Sequence, residues 1–420
     1  MLLTDPCEWK FPKPFRFEQM WLTDPSFPFV VEQGWKASES VPSTSSSLSR
    51  FPRHLESLTA QLRTWNKSHF RNLFQRKNRL LAWLRDLEIA LTTKPSAFLY
   101  SLEHQLTLDY NMLLHQEYLY RQLKSRVTWL NYGNVNTKFF HLTTLYRWNH
   151  SRVVTLKDTT GLWLIGDPLL AHINDTFHKL FQATSEYRRP SLRSTPRVCL
   201  SSPFLEHTQT LSTIPLLDEI LKALRHLPLL KAPRSDGFHA LFFQTNWHVL
   251  GQSVIQIIQD IFEQLRIPPT WGHTNLVLIP KVAHLKQIIQ FHPINLCNTL
   301  YQLVSWILMQ HLKPYMAEII NPCQAGFVPG RRTSDNIILV QEIIHTLRYR
   351  RGKTGYVVIK LDLEKSYDHL EWSFIQETLV FFQLPPNLIT LIMNMISSTR
   401  FHILWNGTPL PEVVPSRGVW

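Results

Sequence analysis

The stretch Gly355-Tyr-Val-Val-Ile-Lys-Leu-Asp362-Leu-Glu-Lys-Ser-Tyr367-Asp368 limits what this chain can fold into more than any other. Its β-branched run from Tyr356 to Ile359 predicts a buried strand, which ends on the carboxylate of Asp362. From Ser366 to Trp372 the pattern turns into a helix. An acidic side chain at the mouth of a central strand stands on rigid backbone. That is where a metal-dependent phosphoryl-transfer enzyme needs a ligand. The ring of Tyr367 can floor the same pocket. The alternative is an Asp that only caps the helix after a strand.

Further short blocks flank this one. Leu278-Ile-Pro-Lys281, Phe291-His-Pro-Ile-Asn-Leu296 and Gln324-Ala-Gly-Phe-Val-Pro-Gly-Arg331 precede it, and Trp405-Asn-Gly and Pro415-Ser-Arg-Gly418 follow. In this order and spacing they resemble the reverse transcriptase of plant LINE-type (non-LTR) retrotransposons, over most of the chain. The resemblance implies an α+β fold, with a helical N-terminal region followed by partial fingers and palm of a right-hand polymerase. By the same comparison Trp420 falls inside the next polymerase motif, so a truncated fragment is expected.

Composition agrees with a globular chain. Its 420 residues leave room for two or three domains with their own cores, and 44% of them are hydrophobic. No run is long and apolar enough to span a bilayer, and Met1-Leu-Leu-Thr-Asp-Pro lacks the regions of a secretory signal. Cys7, Cys199, Cys297 and Cys323 are scattered without metal-binding spacing. They read as thiols in a reducing compartment, nucleus or cytoplasm, of a protein that is not secreted. The 44 Lys and Arg against 31 Asp and Glu leave a net charge of +13, and 12% of residues are aromatic. That balance suits a polyanion held through phosphates and stacked bases. Oligomeric state is not readable from these residues.

The chain divides by pattern. Residues 1–36 are rich in proline and aromatics and too short to fold alone; by resemblance they are the remnant of the C-terminal end of an endonuclease domain. Residues 37–52, around Pro42-Ser-Thr-Ser-Ser-Ser, read as a flexible linker. Residues 53–185 are expected to be a helical, basic and aromatic region. Leucines from Leu55 to Leu87 keep one helix face, beside Arg71, Arg76, Lys77, Arg79 and Arg85. A second helix from Ser96 to Arg126 should fold back on it as a hairpin. The hairpin reads either as a spacer with a solvated basic face or as a nucleic-acid contact.

The block from Lys124 to His141 interleaves cations with rings around Gly133, and Arg126 and Lys138 are candidate nucleic-acid contacts. The alternative is an aromatic core with a basic rim. This block resembles the most recognisable part of the plant LINE region between nuclease and polymerase, with Asn134 where the family usually has Asp. A small hairpin around Thr159-Thr-Gly161 and a helix from Pro168 to Phe181 follow. Residues 186–213 read as a second linker and 214–420 as the truncated reverse transcriptase domain. Lys231-Ala-Pro-Arg-Ser-Asp236-Gly-Phe238 is expected to be a loop with a helix cap at Asp236, and Lys231 is a further candidate nucleic-acid contact. The family usually has Gly-Pro where Arg234-Ser235 stand, which would strain this turn by about 1 kcal/mol.

The resemblance also assigns roles. Two-metal nucleotidyl transfer needs carboxylates from several segments. Asp362 is the implied catalytic residue and metal ligand, joined by the backbone carbonyl of Leu363, with Mg²⁺ as the expected cofactor. Lys281 and His292 are implied triphosphate contacts, and Tyr367 the gate beneath the incoming sugar. Tyr367 could instead simply pack under the strand. The family has Arg where His292 stands, so triphosphate affinity should fall by about 1–3 kcal/mol. Arg331 matches a template-side turn, or is a solvated basic turn. RNA template, DNA primer and deoxynucleoside triphosphates are the implied partners. No two aspartates are adjacent in the 420 residues, whereas the family's other metal ligands lie in an Asp-Asp turn. The reading is therefore an RNA-directed DNA polymerase, inactive as this fragment alone. The rivals are a non-catalytic RNA- or DNA-binding remnant and a degenerate retroelement fragment.

Overall fold

The computed structural model describes residues 14–39, 46–70, 73–127, 137–183, 208–231, 235–282, 285–351 and 355–419. The larger of two hydrophobic cores begins with Phe15, Phe17, Met20 and Trp21. They pack against helix α1 (Phe27–Glu39) and helix α2 (Ser47–His69), whose Leu55, Leu58, Leu62 and Trp65 form the inward stripe that their spacing predicts. The Ser-rich stretch 37–52 is thus no linker throughout. Leu48 and Phe51 carry the apolar stripe of α2 back among the serines and are buried, and the tip of the stretch, 40–45, lies outside the described residues.

The leucine pattern does not run unbroken to Leu87. Helix α2 is capped by Phe70, and helix α3 (Leu73–Thr93) starts anew. Helix α4 (Ala97–Ser125) opens where Ser96 accepts the N–H of Leu99 and closes on Arg126 in the left-handed conformation. Helices α3 and α4 pack as the expected hairpin, and Lys77 and Arg121 both hold the buried carboxylate of Glu117, at 2.6 and 2.7 Å. Helix α5 (Thr137–Ser151) lies on α4 and buries only Phe140.

Strands β1 (Thr155–Lys157) and β2 (Trp163–Ile165) form a small antiparallel hairpin, as expected around Gly161. Helix α6 (Asp167–Phe181) follows it and packs on the sheet described next, so 53–185 is not one helical unit. Its first half joins the larger core and its second half the smaller.

Helices α7 (Thr208–Leu211), α8 (Leu217–His226), α9 (Ala240–Thr245), α10 (Trp247–Gln264) and α11 (Thr299–Leu312) add to the larger core. Asp236 does not cap a helix. Its Oδ1 accepts the N–H of Phe238, and α9 starts later, behind His239. The sheet has the order β4-β3-β5-β6. Strand β3 (His273–Pro280) runs antiparallel to β4 (Phe291–Leu296) and parallel to β5 (Arg400–Trp405). Strand β5 turns at Asn406-Gly407 into β6 (Thr408–Val413), as that dipeptide predicts. One face of the sheet is covered by Leu169, Ile173, Phe177 and Phe181 of α6.

Between β4 and β5 the chain also forms α12 (Met316–Ile319), α13 (Thr333–Tyr349), α14 (Trp372–Phe381) and α15 (Pro386–Ser397). Helix α15 buries Leu388, Ile389, Leu391 and Met395, while α13 and α14 bury no residue fully. The expected strand from Tyr356 to Ile359 is absent. This stretch is unpaired, and Val357 and Ile359 are 83% and 76% exposed. A β-branched run favours extended backbone, but a strand also needs a neighbour's hydrogen bonds, and none of the sheet's four strands offers them here. Residues 364–369 form turns rather than the start of a helix, and α14 begins only at Trp372.

Candidate nucleotide and nucleic-acid site

Strands β3 and β4 bring two of the implied nucleotide contacts to one end of their ladder. His292 is paired with Ile279, and the N–H of Lys281 donates to the carbonyl of Gln290 at 2.9 Å, one rung past the strand. Both side chains are exposed. The turn carrying Tyr367 and Asp368 is near enough for both to act on the Asp368 carboxyl. Burial raises the carboxyl of Asp368 above its usual range, and the charges of Lys365, His369, His292 and Lys281 oppose that rise. Asp368 therefore lies within electrostatic reach of basic residues on both the turn and the ladder, and no side chain caps α14.

The turn is held from behind by residues 416–419. Gly418 N–H donates to the carbonyl of Leu370 at 2.7 Å, Val419 N–H to that of Tyr367 at 3.1 Å, and the indole of Trp372 to Gly418 O at 2.8 Å. Arg417 donates to the carbonyl of Leu180, and Ser416 N–H to that of Phe181, each at 2.8 Å. Helix α6 thereby anchors the clamp that fixes Tyr367 and Asp368. Gly418 has φ +95°, and a Cβ there would meet the Asp368 carbonyl oxygen at 3.1 Å.

Asp362 and Leu363 lie on the exposed unpaired stretch and not at a strand mouth. Among the described residues no group of three or more His, Cys, Asp or Glu is placed to hold a metal ion. These residues do not fit a two-metal centre by themselves. Tyr367 is 55% exposed, with its ring edge-on to Phe327 at 6.2 Å. Phe327 is 91% exposed and has φ +63°, an uncommon conformation for an aromatic residue. It borders an apolar groove of about 700 Å³ between α11 and α15.

Arg331 spends its guanidinium on the backbone. Its Nη atoms donate to the carbonyls of Asn321, Gln324, Ala317 and Ile320 at 2.5–2.9 Å, so the side chain pins the chain between α12 and α13. Arg332 next to it is exposed. Arg126 donates to the carbonyl of Leu230 at 3.2 Å, which sets the α4 terminus beside Lys231. Burial, with Arg16 and Arg147 nearby, pushes the Arg126 guanidinium down to about 10. Glu18 stands in the same cluster, raised to about 7 by burial against the pull of Lys124, Arg16 and Arg126, and its Oε2 has no hydrogen-bond partner among the described residues. Lys138 is exposed at the start of α5. Trp129, Gly133, Asn134 and Arg234 lie outside the described residues.

Sequence reasoning missed the cations around Asp368 and the buried Glu18, because both arise from contacts between segments distant in sequence. The one local signal for the first is Asp368 beside Lys365 and His369 in a single short turn.

No described helix is long and apolar enough to cross a membrane. Residues 279–410 match the family model for reverse transcriptase (RNA-dependent DNA polymerase). Over 211 residues the chain is 30% identical to the uncharacterized 149 kDa protein of transposon TX1 from Xenopus laevis, a match covering 50% of this chain and 16% of that protein. Over 109 residues it is 31% identical to the retrovirus-related Pol polyprotein from type-1 retrotransposable element R2 of Popillia japonica, covering 26% of this chain and 15% of that one. The chain thus spans under a fifth of the length of either relative. The matched block holds Lys281, His292, Arg331, Asp362 and Tyr367 in one run, and by it this chain resembles the reverse transcriptases of non-LTR retrotransposons.

Proposed function

We propose that residues 214–420 are the part of an RNA-directed DNA polymerase that receives the incoming nucleotide, with RNA template, DNA primer and deoxynucleoside triphosphates as partners. The observation that supports this best is the gathering of Lys281 and His292 from the β3–β4 ladder around the turn of Tyr367 and Asp368, inside the block matched by the reverse transcriptase family. In this reading Lys281 meets the triphosphate as a point charge, and His292 adds to it only when protonated. Tyr367, clamped by Val419, sets the floor where a 2′-hydroxyl would clash. Asp362 and the Leu363 carbonyl would be only part of the oxygen ligands that Mg²⁺ needs, and the ion would supply charge neutralisation at the phosphates. Lys231, Arg126 and Lys138 lie toward the nucleic acid. Arg331 serves that surface by fixing its backbone. The partners place its work in the nucleus or cytoplasm.

Because a single acidic ligand cannot hold two cations about 4 Å apart, residues 1–420 alone are expected not to extend a primer. The test has two arms. Deoxynucleoside triphosphate binding by residues 1–420, followed by calorimetry, should weaken about tenfold in Lys281→Ala, a loss near 1.4 kcal/mol. Template-dependent incorporation by the same chain, abolished in Asp362→Ala, would falsify the incompleteness of the centre. Triphosphate binding indifferent to Lys281→Ala would remove the nucleotide reading.

A further inference from the structure

Helix α5 and the β1–β2 hairpin that follows it carry rings the larger core does not use. Tyr146, Trp148 and Trp163 are 69%, 56% and 53% exposed. Both indoles have a cation against them, Arg152 at 5.4 Å from the Trp148 ring centroid and Lys157 at 5.1 Å from that of Trp163. The ring planes are therefore held in place while much of their area stays in water. Helix α5 contains no acidic residue, and Lys138 stands exposed at its start. The hairpin's acidic residue, Asp158, is committed to its own turn, accepting from Thr160 Oγ1 and from the N–H groups of Thr160 and Leu162 at 2.7–2.9 Å. These bonds hold its carboxyl below the usual range and commit its Oδ1 to the turn.

The surface is also rigidly placed. Asn406, at the β5–β6 turn, donates to the carbonyl of Val153 at 2.8 Å and accepts its N–H at 3.1 Å, tying the junction of α5 and β1 to the sheet that carries Lys281 and His292.

We propose that α5 and the β1–β2 hairpin form a stacking platform for single-stranded RNA, on which Tyr146, Trp148 and Trp163 take bases and Arg152, Lys157 and Lys138 take phosphates. Rings held by cations on a surface where Lys138, Arg147, Arg152 and Lys157 outnumber Asp158 fit a strand whose bases are open and whose backbone is anionic. A duplex hides its base faces and would use only the cations. The choice of nucleic acid rests on the polymerase reading; the surface itself does not involve Asp362 or the Tyr367 turn.

The test measures binding of a single-stranded RNA oligonucleotide, and of a duplex of the same length, to the full chain by fluorescence anisotropy over a range of salt. Trp148→Ala with Trp163→Ala should weaken single-strand binding about tenfold or more and leave duplex binding within about twofold. Trp148→Phe with Trp163→Phe should retain most of the affinity, and an unchanged thermal melt in both pairs separates lost stacking from lost fold. Arg152→Gln with Lys157→Gln should flatten the log–log salt slope by about 1.4. Unchanged single-strand affinity in the alanine pair overturns the platform and leaves the polymerase reading intact. No RNA binding by the unaltered chain overturns both. Equal, ring-dependent binding of an acidic polypeptide overturns the assignment to nucleic acid.

Discussion

The backbone N–H of Phe17 donates to the carbonyl oxygen of Gly237 at 2.9 Å, fixing the first described segment to the Asp236-Gly237-Phe238 turn. Gly237 has φ +79°, and a Cβ there would stand 2.2 Å from the Phe15 carbonyl oxygen. Gly237→Ala is expected to destabilise the chain by about 3 kcal/mol, because the left-handed penalty and a backbone clash add. Denaturant unfolding measures this. A loss below about 0.5 kcal/mol would mean that the segment does not sit where the structure has it.

Arg331 gives the next prediction. Its fork reaches four carbonyls, and a lysine presents a single compact ammonium that cannot match them. Arg331→Lys should cost about 1–3 kcal/mol, whereas Arg332→Lys should stay within about 0.5 kcal/mol. Equal effects of the two substitutions, read from the same unfolding curves, would return Arg331 to the role of an ordinary basic surface residue.

Asn406 has φ +50° and bridges both backbone groups of Val153. Asn406→Gly keeps the turn conformation and removes the bridge, so its difference from the parent isolates the tether, expected at about 1 kcal/mol. Asn406→Ala should lose about 1 kcal/mol more through the left-handed backbone. Hydrogen exchange at Val153 N–H reports the tether directly and should accelerate in both variants.

Glu18 makes stability depend on pH. Its carboxyl is raised from 4.5 to about 7 in the folded chain, so between those values the folded state holds a proton that the unfolded state has released. The contribution is complete below the unfolded value and is lost as pH rises through the folded one. Glu18→Gln should therefore flatten the fall in melting temperature between about pH 4.5 and 7. A parallel shift of the whole curve, with the slope kept, would place the titration on another group.

Local chemistry was readable where it was sufficient by itself. Ser96 caps α4 and Asn406-Gly407 makes the β5–β6 turn, because cap and turn signals each sit within a few residues. The unpaired stretch 355–363 has equally strong strand composition but depended on a neighbour from elsewhere in the chain, which sequence pattern does not report. The surroundings of Asp368 are hidden for the same reason, since Lys281 and His292 reach it from a distant part of the chain. The break between α2 and α3 leaves no mark in the pattern, because the leucine spacing continues across it. Residues proposed to act in nucleotide binding were thus legible as residue types, while their grouping was not.

The parallel pairing of β3 with β5, which sets His273 beside Arg400, has a consequence for how this protein comes to be made. Everything from Lys281 to Thr399 intervenes, and a chain emerging from the ribosome holds β3 without that partner until residues 400–405 have been synthesised. Until then the sheet is a two-stranded ribbon of β3 and β4, too small to persist unaided. Maturation of the surface bearing Lys281 and His292 is thereby timed by the arrival of residues 400–405, and a pause in translation before them would leave that ribbon open to whatever strand passes.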